Sequence, residues 1–193
     1  MTTAIDPSNT ALLVMDYQPS ILGFLSDPGP LVDVAERAVK IVRERGGQVG
    51  FVRVAFTDHD YTAFPATSMM GNRVKAARPG MDADSPTTHI HPRLPAAPDD
   101  ILVRKTRVGA FSTTNLHEQL TSVGVTTLVL AGVHTSGAVL TTVREAHDLD
   151  YAVVVVDDAC ADPDHEVHEF LMTKIFPKQG RVVSAADLPD LLG

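Results

Sequence analysis

Short runs of nearly continuous apolar residues recur along this chain, separated by stretches in which apolar residues return at helical spacing. The runs occupy residues 11–15, 49–55, 101–103, 127–131 and 152–156, with a weaker one at 181–184. Val, Leu and Ile without polar alternation mark strands buried on both faces, as in a parallel sheet covered by helices. Between them, residues 31–45, 114–123 and 139–149 place apolar side chains along one helical face. Gly46-Gly47, Gly124 and Asp150 follow these segments and read as helix C-terminal breaks. The alternation predicts a doubly wound α/β sheet, in one domain spanning residues 1–193.

Residues 57–100 break the pattern. They are rich in Pro, Asp, Met and Thr, with helical spacing only around 68–77. A connection this long in a compact domain serves function or assembly. It reads as a substrate-covering insertion, with an oligomer interface as the alternative.

Composition narrows the classes. With 44% hydrophobic and 21% charged residues, the 193-residue chain is ordinary for a globular protein. A formal net charge of −8 argues against nucleic acid, because phosphate neutralisation needs clustered Lys and Arg. The single cysteine, Cys160, excludes an intramolecular disulfide and fits a reducing compartment. The start, Met1-Thr2-Thr3-Ala4-Ile5-Asp6, has no basic and apolar regions of a signal peptide, and no apolar run spans a bilayer. The expectation is a cytoplasmic protein with no membrane partner.

In open α/β sheets ligands sit beyond the carboxyl ends of the strands. That rule selects Asp16 and Gln18 after the first strand, Asp58 and His59 after the second, and Arg104 and Lys105 after the third. The segment from Gly132 to Ala138 follows the fourth, and Asp157, Asp158 and Cys160 follow the fifth. Asp16 is a candidate general acid or base if burial raises its pKa; a turn aspartate is the plain alternative. Lys105 beside it would hold the carboxylate's charge and stabilise an anion developing on substrate. The loop Gly132-Val133-His134-Thr135-Ser136-Gly137-Ala138 enters a helix, so its backbone N–H groups suit an oxyanion or carboxylate. Ser136 does not sit in a Gly-x-Ser-x-Gly nucleophile elbow.

Three segments together resemble the isochorismatase-like (cysteine hydrolase) superfamily. Leu12-Leu13-Val14-Met15-Asp16-Tyr17-Gln18 is similar to its first-strand motif. Lys105 followed by Gly109-Ala110-Phe111 and Thr114-Asn115-Leu116 is similar to its third, with Gly109 in place of a serine. Gly132-Val133-His134-Thr135, with Val139, Thr142 and Ala146, is similar to its fourth, and Asp158-Ala159-Cys160-Ala161 resembles the end of its fifth strand. The resemblance implies a three-layer fold with a six-stranded parallel sheet and helices on both faces. It also implies an Asp-Lys-Cys triad, a cis peptide at Val133–His134, and a homo-oligomer, a dimer or tetramer.

The departure from the pattern is decisive for chemistry. The family's cysteine falls on Ala138, whose methyl group cannot form a thioester. Isochorismatases of this family also carry a small residue there; their aspartate protonates an enol ether and water completes the cleavage. The reading is therefore a small-molecule hydrolase with Asp16 and Lys105 as catalytic residues and no covalent intermediate. Its substrate is an enol ether, a lactone or a similar water-labile carbonyl compound. Gln18, Arg107, Phe111, Val133, His134 and Gly137 are its substrate-binding candidates, Phe111 as a wall and Arg107 facing an acidic group. Ser136, with His134 as base, and Cys160 are weaker nucleophile candidates. The alternatives are a cysteine amidohydrolase with cysteine changed to alanine, and a non-catalytic ligand-binding homologue. No cofactor is expected. Zinc is not expected either, because Asp58 and His59 are adjacent, whereas family nicotinamidases use Asp-x-His with a further His, and His89 and His91 lie far along the chain. Asp157, Asp158, His165 and His168 read as capping or strand-end hydrogen-bonding groups.

Overall fold

The computed structural model describes residues 4–193; residues 1–3, on which part of the N-terminal reading rests, lie outside the described residues. Six strands, β1 (Thr10–Met15), β2 (Gln48–Val54), β3 (Ile101–Lys105), β4 (Thr127–Val133), β5 (Ala152–Ala161) and β6 (Arg181–Val183), form one sheet in the order β3-β2-β1-β4-β5-β6. Every pairing is parallel. The helices are α1 (Pro19–Leu22), α2 (Gly29–Glu44), α3 (Asp58–Thr62), α4 (Met69–Ala76), α5 (Leu116–Ser122), α6 (Leu140–Asp148), α7 (His165–Phe170) and α8 (Leu188–Leu191).

The apolar runs become strands because both of their faces are covered. In β1, Leu12 and Val14 join one core cluster, with Val39 and Val42 of α2 and Leu188 of α8. Ala11, Leu13 and Met15 join the other, with Leu116 and Leu120 of α5 and Val143 of α6. Alternate residues of one strand thus serve opposite layers. Burying each large side chain of this kind contributes about 1.5–3 kcal/mol.

The three helix breaks share one hydrogen-bond pattern. After α2, Gly46 adopts a left-handed backbone (φ 79°), Gly46 N–H donates to Arg43 and Gly47 N–H to Val42. Two left-handed residues, Gly124 after α5 and Asp150 after α6, are followed by Val125 and Tyr151, which donate back to Leu120 and Ala146. Each is a Schellman motif, which satisfies carbonyls that the last helical turn leaves free.

The fifth strand extends further than its apolar run predicts. β5 continues to Ala161, so Asp157, Asp158 and Cys160 lie within it and do not follow it. Register against β4 shifts between Leu130 and Gly132, and the pairing resumes at Gly132 with Cys160. Periodicity misses this extension because a bulge breaks the apolar pattern without ending the ladder. The 57–100 insertion is also more ordered than its composition suggests. It carries α3, capped by a reciprocal Thr57–Asp60 box, as well as α4.

Candidate active site

β1 and β4 are neighbours, and the chain leaves them toward opposite halves of the sheet. A crevice opens beyond their carboxyl ends at such a switch point. Asp16, the first residue past β1, has φ 60° and donates its N–H to Val52 O at 2.8 Å. Left-handed backbone is uncommon outside glycine, though aspartate tolerates it, and it costs on the order of 1–2 kcal/mol.

Lys105 ends β3 and reaches over the end of β2 to Asp16. Its Nζ lies 2.7 Å from Asp16 Oδ2 and donates to Val108 O at 2.6 Å. Both side chains are buried, Lys105 at 1% and Asp16 at 4% exposure. Burial pushes the Asp16 carboxyl above its ordinary range, while Lys105 and, more weakly, His134 pull it back down. Asp16 Oδ1 has no protein hydrogen-bond partner.

The third wall comes from the β4–α6 junction. The Val133–His134 peptide is cis, as the resemblance implied. A π turn, Thr135–Val139, then leads into α6, with Gly137 and Val139 N–H donating back to His134 O. His134 Nε2 is buried without a partner, and Phe24 packs edge-on against its ring at 5.7 Å. Behind the turn, Thr135 Oγ1 contacts His168 Nδ1 at 2.8 Å, and His168 Nε2 contacts Asp157 at 3.0 Å. His168, expected to cap or to hydrogen-bond at the strand end, therefore ties α7 and β5 to this loop.

These segments enclose a cavity of about 360 Å³. Asp16, Lys105, Arg107, His134, Gly137 and Ala138 line it, as does Val133. Of the nine catalytic and substrate-binding candidates, seven therefore meet at one place. Two do not. Gln18 is fully buried, its Nε2 donating to Val54 O and Thr88 O and its Oε1 accepting from Val54 N. Its amide is spent tying β2 to the insertion, and it does not line the cavity. Phe111 turns into the core and stacks on Tyr151 at 5.9 Å, so it does not line this cavity.

The remaining candidates are engaged elsewhere. Ser136 Oγ and N–H both donate to Asp162 Oδ2, at 2.6 and 2.8 Å, which turns Ser136 away from His134. Cys160 packs in the core beside Leu130 O, and burial pushes its thiol well up. Arg104 pairs with Asp60 at 2.7 Å. Asp58 pairs with Arg78 at 2.7 Å and lines a separate cavity. Asp158 Oδ1 accepts from Ala185 N–H. Among the described residues, no group of three or more His, Cys, Asp or Glu is arranged to hold a metal ion. No described helix is long and apolar enough to cross a membrane.

Sequence reasoning expected the 57–100 insertion to cover the substrate but named none of the residues that do so. Met70, Arg73 and Val74 of α4 line the cavity together with Met81. Their signal was present, because positions 70, 73 and 74 share one helical face inside the insertion already read as substrate-covering.

Gly109, which departs from the family's serine, also has a structural cause. A Cβ there would fall 2.2 Å from Glu145 Oε2. That same oxygen accepts from Phe111 N–H at 3.2 Å, so the carboxylate occupies the space a serine would take.

A family model described as the Isochorismatase domain matches residues 10–187. The chain belongs to the isochorismatase family. It is 32% identical over 198 residues to the uncharacterized isochorismatase family protein YecD of Escherichia coli O157:H7, covering 97% of this chain and 98% of that one. A probable inactive nicotinamidase of Arabidopsis thaliana is 31% identical over 172 residues, covering 83% and 84%. The solved structure of an isochorismatase family protein from Burkholderia thailandensis superposes with a TM-score of 0.85 at 30% identity, covering 100% of this chain and 99% of that one. The six-stranded parallel sheet with helices on both faces is the fold of this family.

Proposed function

We propose that this isochorismatase-family hydrolase cleaves a small molecule without a covalent enzyme intermediate. One observation carries the reading: among the described residues, no hydroxyl or thiol side chain lines the cavity that holds Asp16 and Lys105, and the methyl of Ala138 stands there instead. With no hydroxyl or thiol to attack, and with Asp16 and Lys105 engaged with each other, water is the nucleophile in this reading. Asp16 then handles the proton, and Lys105 holds charge on the carboxylate as it forms. With an enol ether, Asp16 donates a proton to the vinyl carbon. Water adds to the resulting oxocarbenium ion and its proton returns to Asp16. The hemiketal then collapses to a ketone and an alcohol. With a lactone, Asp16 instead takes the proton from the attacking water, and returns it to the departing alkoxide as the tetrahedral intermediate collapses and the ring C–O bond breaks. In either case the β4–α6 turn faces the reacting carbonyl or ether oxygen.

The same reading makes the protein a cytoplasmic homo-oligomer of two or four copies. A single buried, unpaired cysteine supports the compartment, and exposed Val167 and Phe170 on α7 support self-association.

The test is intact-mass spectrometry during turnover of an enol ether or lactone that the protein cleaves. No adduct should accumulate, and Asp16→Asn should keep fold and ligand binding while abolishing turnover. An adduct trapped on Ser136 or Cys160 would overturn the reading.

A further inference from the structure

Three side chains form a chain behind the third wall of the cavity: Asp157 on β5, His168 on α7 and Thr135 in the β4–α6 turn. His168 Nε2 lies 3.0 Å from Asp157 Oδ1, and His168 Nδ1 lies 2.8 Å from Thr135 Oγ1. None of the three lines the cavity that holds Asp16. Thr135 is fully buried, and among the described residues His168 Nδ1 is the one hydrogen-bond partner of its hydroxyl.

The chemistry of the two end groups assigns the protons between them. A carboxylate only accepts, so Asp157 takes its hydrogen bond from Nε2–H. In a neutral imidazole Nδ1 then carries a lone pair, and the Thr135 hydroxyl donates to it. The opposite tautomer would set a lone pair against the carboxylate and leave the buried Thr135 hydrogen without an acceptor. Thr135 is also the first residue of the π turn. Its carbonyl accepts from Leu140 N–H at the start of α6, while Gly137 and Val139 N–H return to His134 O. Holding Thr135 therefore holds both ends of the turn that carries His134, Gly137 and Ala138 into the cavity wall.

We propose that His168 is a positioning residue: Asp157 keeps it in the Nε2–H tautomer, and its Nδ1 fixes the β4–α6 turn through Thr135. The consequence for turnover rests on the hydrolase reading, whereas the fixing of the turn does not.

Long-range proton–nitrogen NMR and amide hydrogen exchange on the full chain test it. At neutral pH, wild-type His168 should show a protonated Nε2 and an unprotonated Nδ1. Asp157 is half-exposed, so Asp157→Asn should fold, and its amide can donate to Nε2 as well as accept, which frees the other tautomer. In that variant the Nδ1–H form should appear, and exchange at Gly137, Val139 and Leu140 should quicken about five- to tenfold. Amides of β1 should change less. Thr135→Val should quicken the same three amides, and Thr135→Ser should restore them. His168→Asn, which keeps an acceptor near the place of Nδ1, should protect the turn better than His168→Leu. On an enol ether or lactone that the protein cleaves, Asp157→Asn should lower kcat about fivefold and leave KM near its wild-type value.

A wild-type His168 protonated at Nδ1, turn amides unchanged in both Asp157→Asn and Thr135→Val, or exchange that quickens equally in β1 would each overturn the proposal. So would an unchanged kcat in a variant whose turn amides exchange faster. The hydrolase reading fails separately, through turnover that survives Asp16→Asn, and the tautomer and exchange measurements do not depend on that result.

Discussion

Lys105 Nζ sits 2.7 Å from Asp16 Oδ2, with both groups shut away from solvent, and this contact joins the end of β3 to the end of β1. The pair therefore bears on stability as well as on charge in the cavity. Removing one partner of a buried pair costs about 3–5 kcal/mol, whereas replacing both by neutral groups is often tolerated. Lys105→Met should lower turnover at least tenfold, about 1.4 kcal/mol in the barrier, and also lower the melting temperature. Adding Asp16→Asn should recover much of the stability and none of the activity. Calorimetric melting with steady-state kinetics on the wild type and the two variants checks this; wild-type turnover in Lys105→Met would remove the lysine from the mechanism.

The pH dependence follows from burial. The Asp16 carboxyl titrates above the usual value of about 3.9, chiefly because burial disfavours its charge. A group with a raised folded pKa keeps its proton to higher pH in the native state than in the unfolded one. Its contribution to stability therefore declines as pH rises between the two values, and Asp16→Asn should lack that decline. If Asp16 works as an acid on an enol ether, kcat/KM falls as pH rises through the same raised pKa. A rising limb would assign it the base role and select the lactone. A kcat/KM profile against pH, with denaturant unfolding at matched pH, reads both.

Thiol chemistry separates the two cysteine positions. Cys160 is buried with its thiol pushed up, so iodoacetamide should leave the native wild type unmodified and its activity intact. Ala138→Cys puts a thiol on the cavity wall, and that variant should take up one label. If it also gains amidase activity, the site still suits cysteine chemistry; if it labels without gaining activity, the cavity has been shaped for attack by water. Rapid labelling of Cys160 in the native wild type would contradict its packing.

Glu145 accounts for Gly109. Gly109→Ser forces the carboxylate aside and breaks its hydrogen bond to Phe111 N–H, at a cost of about 1–2 kcal/mol. Glu145→Ala alone should cost less, and the double variant should be more stable than the sum of the two effects predicts. A double-mutant cycle in urea measures the coupling. Strict additivity would mean that the two positions do not compete for space.

The sequence by itself determined the sheet and its layers. Both faces of β1, β2, β4 and β5 are buried, and such strands have to be apolar at nearly every position, so their runs stand out. The Schellman breaks at Gly46, Gly124 and Asp150 were legible for the same reason: local hydrogen bonding demands a left-handed residue there. Candidates at the ends of strands were also readable, because parallel topology collects strand ends at one edge. Only the tertiary structure decided which of them share a cavity. Gln18 and Asp16 are two residues apart, yet one amide is consumed by Val54 and Thr88 while the other side chain lines the cavity against Lys105. Arg104 and Lys105 are adjacent, and alternation along β3 sends one outward to Asp60 and the other inward to Asp16. Arg73 comes from a helix whose place over the cavity depends on contacts far away in sequence. Composition and spacing report what a segment needs, burial or exposure, turn or helix. Which partner meets that need depends on distances between strands, and these exist only once the chain has folded.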